Sequence, residues 1–302
     1  MPAEHVAWLK WDDFVAPEGV VVLGPHNAPL DSEAITPVTF YVPPYMTGWK
    51  GLAPVERMPN LRTLQLPNAG YDDAVGLARP GLDICNARGV HDISTAELAL
   101  SLMLASTRGI HTAVRNQDQA QWRPETYRSL WRANVAIVGF GNIGQTIARL
   151  LAPFDAAVTG FSQSGTAGSE KIHTLAGRLP EFDIIVLILP ATPATTGMVD
   201  ATFLAAMKDG ALLVNVARGP IVVTDALVQE LESGRLRAAV DVTDPEPLPS
   251  DHPLWSAGDI IITPHVGGNS EAFEPRMRSL VSSQLERIAA GLAPENIVIS
   301  GH

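Results

Sequence analysis

From about residue 134 the chain alternates short apolar runs with longer segments of helical period. The runs fall at residues 135–138, 156–161, 184–189, 211–216, 238–242 and 259–263. They are rich in Val, Ile and Leu, and polar residues do not alternate with the apolar ones. A strand covered on one face only would alternate with period two. An apolar run without that alternation marks a strand buried on both faces, as in a parallel sheet. The segments between the runs are long enough for crossover helices. Residues 143–151 and 224–232 carry apolar side chains three and four apart. Leu231-Glu232-Ser233-Gly234 reads as a helix end with glycine just past it. Six such strands with helical crossovers predict an α/β fold, a doubly wound parallel sheet of Rossmann type.

The first 95 residues have a different texture, with more prolines and shorter apolar runs at 20–23, 38–42, 61–66 and 82–85. They predict a smaller, flavodoxin-like α/β domain. Ser94-Thr95-Ala96-Glu97 then opens a long helix, with Ser94 or Thr95 as its cap and Glu97 closing a capping box on Ser94. A last helix is expected near 271–290, after which 296–299 return to the small domain. The expected division is a small domain of residues 1–94, completed by 273–302, and a sheet domain of 95–272.

Gly139-Phe140-Gly141-Asn142-Ile143-Gly144 follows the first apolar run and opens the first crossover helix. In that context G-x-G-x-x-G is a dinucleotide fingerprint. Gly139 allows the tight turn, Gly141 the approach of a pyrophosphate, and Gly144 the packing of helix on strand. An anion there rests on the helix N-terminus. The next strand end decides the dinucleotide. Sites for NAD usually place Asp or Glu about 20 residues on, and here the turn is Ser162-Gln163-Ser164. Nothing acidic repels a 2′-phosphate, two hydroxyls can donate to it, and Lys171 is the nearest cation in sequence. The turn reads either as an ordinary polar turn or as an NADP site, with NAD also usable; NADP is the reading favoured.

Composition narrows the partners. A length of 302 residues suits two domains. With 46% hydrophobic and 18% charged residues the chain is globular. A net charge of -11 disfavours nucleic acid and anionic membrane surfaces, which need a basic face. The single cysteine, Cys85, permits no internal disulfide and reads as a buried structural thiol in a reducing compartment. The start Met1-Pro2-Ala3-Glu4-His5 has no basic or apolar leader pattern, and no apolar run approaches about 20 residues. A cytoplasmic protein is expected. His5, His26, His91, His111, His173, His252 and His302 show no metal-ligand spacing and read as surface or structural residues; no metal is expected.

Three segments carry the candidate chemistry: 215–219 with Arg218, 244–249 with Glu246, and 263–268 with His265. Each follows an apolar run, so all three would reach the same edge of one sheet. A guanidinium holds a carboxylate through two parallel hydrogen bonds. An imidazole moves a proton near neutral pH. A nearby carboxylate favours its protonated form and orients the ring. The trio suits proton transfer on an acidic substrate.

In order and spacing these segments, with the glycine loop and Leu189–Thr195, resemble the D-isomer-specific 2-hydroxyacid dehydrogenases, of the glyoxylate/hydroxypyruvate reductase and phosphoglycerate dehydrogenase type. The resemblance runs from about Leu61 to Gly268. It implies hydride transfer between NAD(P)H and C2 of a small 2-oxo or 2-hydroxy acid, between two α/β domains, the smaller one binding substrate. It places the catalytic arginine on Arg218, the acid/base on His265 and the supporting glutamate on Glu246. Asp241 falls on the residue that contacts the nicotinamide carboxamide. Pro190, Thr192, Thr195, Val216, Ala217 and Gly267, with His265, fall on the cofactor loops. Asn68, Ala69 and Gly70 match the turn whose N–H groups receive the substrate carboxylate; an ordinary glycine turn is the alternative.

Pro43-Pro44-Tyr45-Met46 follows another small-domain strand and is positioned to cap the substrate side chain. Asn86-Ala87-Arg88-Gly89-Val90 departs from the family, which usually has Thr-Pro before the glycine. Arg88 either faces the substrate or is simply exposed, the reading preferred. The segment 122–131, with two tryptophans, lies where the family forms a homodimer; burial within one chain would explain it equally. Glyoxylate and hydroxypyruvate are the expected substrates. Phosphoglycerate, an aromatic 2-hydroxy acid, and a dinucleotide-sensing interaction protein like the family's corepressors are the alternatives.

Overall fold

The computed structural model describes residues 5–301; His302 lies outside them. Its strands are β1 (His5–Trp8), β2 (Val20–Leu23), β3 (Phe40–Tyr41), β4 (Thr63–Gln65), β5 (Asp83–Cys85), β6 (Asn134–Val138), β7 (Ala157–Ser162), β8 (Glu170–Lys171), β9 (Ile184–Leu187), β10 (Leu212–Asn215), β11 (Arg237–Val240), β12 (Ile260–Ile262) and β13 (Ile297–Ile299). The α-helices are α1 (Trp49–Leu52), α2 (Asp92–Thr107), α3 (Ile110–Asp118), α4 (Asn142–Leu151), α5 (Ala201–Ala206), α6 (Thr224–Glu232) and α7 (Phe273–Ala289). The chain forms two compact units. One takes the residues up to His91 and those from Glu271 onwards; the other is Asp92–Ser270.

The Asp92–Ser270 unit holds one sheet in the order β12-β11-β10-β9-β6-β7-β8, parallel throughout. The order reverses between β6 and β9, the switch point of a doubly wound sheet, where such folds bind ligands beyond the carboxyl ends of the strands. Successive side chains of a strand point to opposite faces. Val135, Ile137, Ile184, Val186, Leu212 and Val214 accordingly enter one core with Ala96 and Leu102 of α2 and Ile147 of α4. Ala136, Val138, Ile185, Leu187 and Leu213 enter the other with Leu204 of α5 and Leu227 of α6. Apolar demand on both faces explains the unalternating runs.

The sheet has a seventh strand beyond the six expected. β8 is two exposed residues, Glu170 and Lys171, too short and polar to show a period. The small unit orders its strands β13-β5-β4-β3-β1-β2. The five parallel strands follow the flavodoxin-like order, and β13 adds an antiparallel edge on β5. The sequence reading had no strand at β1, the four-residue His5–Trp8.

The expected capping box is corrected. α2 begins at Asp92, so Ser94 and Thr95 lie inside its first turn, and both are buried. The Ser94 hydroxyl pairs with that of Ser270 at 2.6 Å rather than capping. Cys85 is fully buried, and that burial, with the charge of Asp83, pushes its thiol up to about 12. No helix among the described residues is long and apolar enough to cross a membrane.

Candidate active site

The loop after β6 is shaped by its glycines. Gly139 has φ of 105°, and a side chain there would strike the carbonyl of Ile188. A Cβ on Gly144 would strike the carbonyl of Gly139, so α4 could not pack this close to the turn. At Gly141, by contrast, a Cβ would meet nothing within 4 Å. Gly141 caps α4 without a side-chain bond, leaving first-turn N–H groups for an anion. Asn142 is exposed and Ile143 half-exposed beside it. Two tight glycines and one open one fit a pyrophosphate. The Phe140 ring lies against Gly160 of β7, where no other side chain would fit. That contact was not legible in sequence, since Gly160 interrupts a strand without forming a motif.

At the end of β7 the hydroxyl of Ser162 accepts from the Gly165 N–H at 3.0 Å and pairs with Ser169 at 2.7 Å. Ser164 pairs with Thr166 at 2.7 Å, and Gln163 is exposed. Both serine hydroxyls thus shape the turn. β8 brings a cation to this strand end, since its Lys171 stands in register with Ser162. Nine residues separate the two in sequence, and the two-residue strand joins them. After β9 the loop closes on itself: the Thr195 hydroxyl donates to Pro190 O at 2.8 Å and accepts from the Thr192 N–H at 2.8 Å.

Arg218 follows β10. Asn215 is buried, and its amide donates to Arg218 O at 3.0 Å while accepting from the Ala217 N–H at 3.1 Å. This clasp turns the chain after Val216 and Ala217, both buried, and leaves Arg218 half-exposed. Arg218 Nη1 donates to Ala217 O at 2.7 Å. Gly219 lies flat on the Thr243 carbonyl, with no room for a side chain.

His265 follows β12 and Glu246 follows β11. The His265 Nδ1 and Glu246 Oε1 are 2.6 Å apart, with both side chains nearly half-exposed. Glu246 thus engages Nδ1 and not Nε2. The His265 backbone has φ of 53°, a strained region for a residue with a side chain. Asp241 holds it there. Its Oδ1 accepts from Thr263 Oγ1 at 2.6 Å and the Val266 N–H at 2.9 Å, and its Oδ2 from the Gly267 N–H at 2.8 Å. The buried Asp241 carboxylate therefore braces the histidine loop. Sequence reasoning placed Asp241 but missed Thr263 and the clasp by Asn215. A polar residue closing an apolar run was the available signal for both.

In the small unit, the turn Asn68-Ala69-Gly70 follows β4. Its carbonyls are held by Asn86 Nδ2 on Ala69 O at 2.7 Å and the Ala87 N–H on Asn68 O at 2.8 Å. The ring of His91, a buried structural residue, bonds Pro67 O at 2.7 Å. With the carbonyls held, the turn's N–H groups are free to point elsewhere. Tyr45 stacks on Phe273 with centroids 4.0 Å apart, which fixes the loop of residues 43–46. Arg88 is exposed. No metal-ligand cluster occurs among the described residues.

A sequence model described as D-isomer specific 2-hydroxyacid dehydrogenase, NAD binding domain, matches residues 100–267. Human glyoxylate reductase/hydroxypyruvate reductase is 34% identical over 246 residues, covering 74% of this chain and 73% of its own length. A solved D-isomer specific 2-hydroxyacid dehydrogenase family protein from Aeromonas salmonicida superposes with a TM-score of 0.85 at 26% identity, covering 98% of this chain and 99% of that one. Another from Xanthobacter autotrophicus, in complex with NADPH and MES, gives 0.78 at 26% identity, covering 98% of each chain. With a family match over more than half its residues, a doubly wound sheet and a glycine loop at its switch point, the chain belongs to the D-isomer specific 2-hydroxyacid dehydrogenase family.

Proposed function

We propose that the protein reduces small 2-oxo acids of the glyoxylate and hydroxypyruvate type to 2-hydroxy acids, of D configuration where C2 becomes a stereocentre, with NADPH preferred over NADH. The observation that carries this is the 2.6 Å pair of His265 and Glu246, on the same sheet edge as Arg218. A bound nicotinamide dinucleotide supplies the hydride. Arg218 grips the substrate carboxylate, and the N–H groups of Ala69 and Gly70, in the turn begun by Asn68, are the small unit's candidate anion donors. His265 donates a proton from Nε2 to the oxygen on C2 as that carbon becomes a hydroxyl-bearing centre. Glu246 holds the ring by Nδ1 and balances the imidazolium charge. In oxidation His265 takes the proton back. The dinucleotide would lie along Gly139–Gly144, with Ser162, Gln163 and Ser164 at its adenosine ribose. Pro190, Thr192, Thr195, Val216, Ala217, Asp241 and Gly267 would line its nicotinamide half.

The test is a steady-state panel of glyoxylate, hydroxypyruvate, phosphohydroxypyruvate and phenylpyruvate, each with NADH and NADPH. Highest kcat/KM on one of the first two supports the reading. A preference for the phosphorylated or aromatic acid would reassign the substrate. Dinucleotide binding without turnover on any acid would point to a sensing protein.

The preference for NADPH rests on the absence of a carboxylate at Ser162 and on Lys171 beside it. Ser162→Asp should shift the NADPH-to-NADH ratio of kcat/KM roughly tenfold or more towards NADH, by repulsion of the 2′-phosphate. An aspartate can still accept from the Gly165 N–H, so that bond of the turn should survive. An unmoved ratio would place the phosphate elsewhere.

We also propose a cytoplasmic homodimer. Ile110 and Val114, one turn apart on α3, are each about half-exposed, and Trp122 is 95% exposed. These exposed apolar side chains lie in or next to the segment where the family resemblance puts the dimer contact, and they support that reading. Trp122→Glu should convert a dimer to a monomer, read as molar mass by light scattering. A wild-type monomer, or an undisturbed dimer in the variant, would refute the assignment.

A further inference from the structure

We propose that the small unit carries a second anion site, built for a phosphate group, free or esterified, between the loop after β5 and one face of α7. Arg88, Gly89, Arg276, Ser279 and Ser283 line a depression of about 260 Å³ there. This is below the ~300–1,000 Å³ of typical organic-ligand pockets, so it suits a small ion or a single group.

Every polar side chain that lines it can donate. Residues 276, 279 and 283 fall on one helix face by their spacing of three and seven. Among the described residues neither guanidinium has a carboxylate within ion-pair distance; Arg276 Nη1 reaches only the carbonyl of Val90, at 3.4 Å. Other arginines of the same helix are paired: Arg278 with Asp13 at 2.8 Å and Glu274 at 3.2 Å, Arg287 with Glu295 at 3.3 Å. Mid-helix serines usually bond back to a carbonyl one turn earlier, as Ser101 does to Glu97 O at 2.8 Å. Ser279 and Ser283 have no such bond among the described residues.

Two positive forks facing one depression repel each other, and a dianion between them removes that cost. Guanidinium forks match phosphate oxygens in pairs, and the two hydroxyls supply the remaining donors. Arg88 stands in the loop that departs from the family's usual Thr-Pro, so the site is a property of this chain. It is independent of the hydride-transfer reading, because none of its residues belongs to the dinucleotide loops or to the Arg218, Glu246 and His265 trio.

The experiment is calorimetric titration of the NADP-saturated protein with inorganic phosphate and, separately, glycerol 3-phosphate. Saturable one-site binding of either supports the site, and the tighter of the two tells the free ion from the ester. Arg88→Ala and Arg276→Ala should each weaken binding roughly ten- to a hundredfold, the loss expected for a charged hydrogen-bonding partner. Ser283→Glu keeps both arginines, places a carboxylate in the depression and should abolish binding. Arg218→Ala should leave it unchanged. No saturable binding, binding that survives the Arg88 and Arg276 substitutions, or binding lost with Arg218→Ala would overturn the proposal.

Discussion

His265→Ala should lower kcat by roughly two to four orders of magnitude, the range for a lost general acid, while NADPH binds almost as before. The reason lies in the geometry of one loop. Hydride arriving at C2 leaves charge on the oxygen, and among the described residues the imidazole of His265 is the one held at this sheet edge by a carboxylate. The glycine loop is built on β6 and α4 and does not depend on the imidazole. Fluorescence titration of NADPH should therefore give a dissociation constant within a few-fold of the wild type. Glu246→Gln keeps the shape of the partner and removes its charge. It should cost less, roughly ten- to a hundredfold, as expected for losing one charge-assisted hydrogen bond. Full activity in His265→Ala would remove the histidine from the mechanism. Loss of NADPH binding in that variant would show instead that the loop had collapsed.

The fold was legible because its signals are local. A buried parallel strand must be apolar on both faces, so β6, β9 and β10 announced themselves as unbroken runs. The glycine loop was legible because Gly139 and Gly144 answer to contacts that only glycine can make. Short elements gave no such signal. β8 has two residues, both exposed, and β1 has four, of which Ala7 and Trp8 are buried; each exists because a neighbouring strand offers it hydrogen bonds. The start of α2 was misplaced because a capping box is a local pattern. The pairing of Ser94 with Ser270 spans 176 residues and overrides it. The site divides in the same way. The residues proposed to meet a substrate sit in short segments at strand ends, where a local pattern marks them. Those that hold them, such as Thr263 against Asp241, are joined only by the pairing of β11 with β12. Lys171 belongs with these, since its place beside Ser162 follows from strand register alone.

Arg218→Ala should lower kcat/KM for 2-oxo acids by roughly 30- to 5,000-fold. Removing one member of a hydrogen-bonded charge pair costs about 2–5 kcal/mol, and each factor of ten corresponds to about 1.36 kcal/mol. Most of the loss should appear as a raised KM, because the carboxylate is gripped both before and during hydride transfer, and binding common to both states is seen in KM. Arg218→Lys separates charge from shape. An ammonium keeps the positive charge but cannot present two parallel donors, so it should restore only part of the affinity. The clasp of Asn215 on Ala217 N–H and Arg218 O uses backbone atoms of the loop alone. The loop should therefore keep its path in both variants, and the dinucleotide should still bind. If KM and kcat both stay level in Arg218→Ala, the carboxylate is anchored elsewhere. If lysine performs as well as arginine, the contact is a point charge and the paired hydrogen bonds are not what orients the substrate.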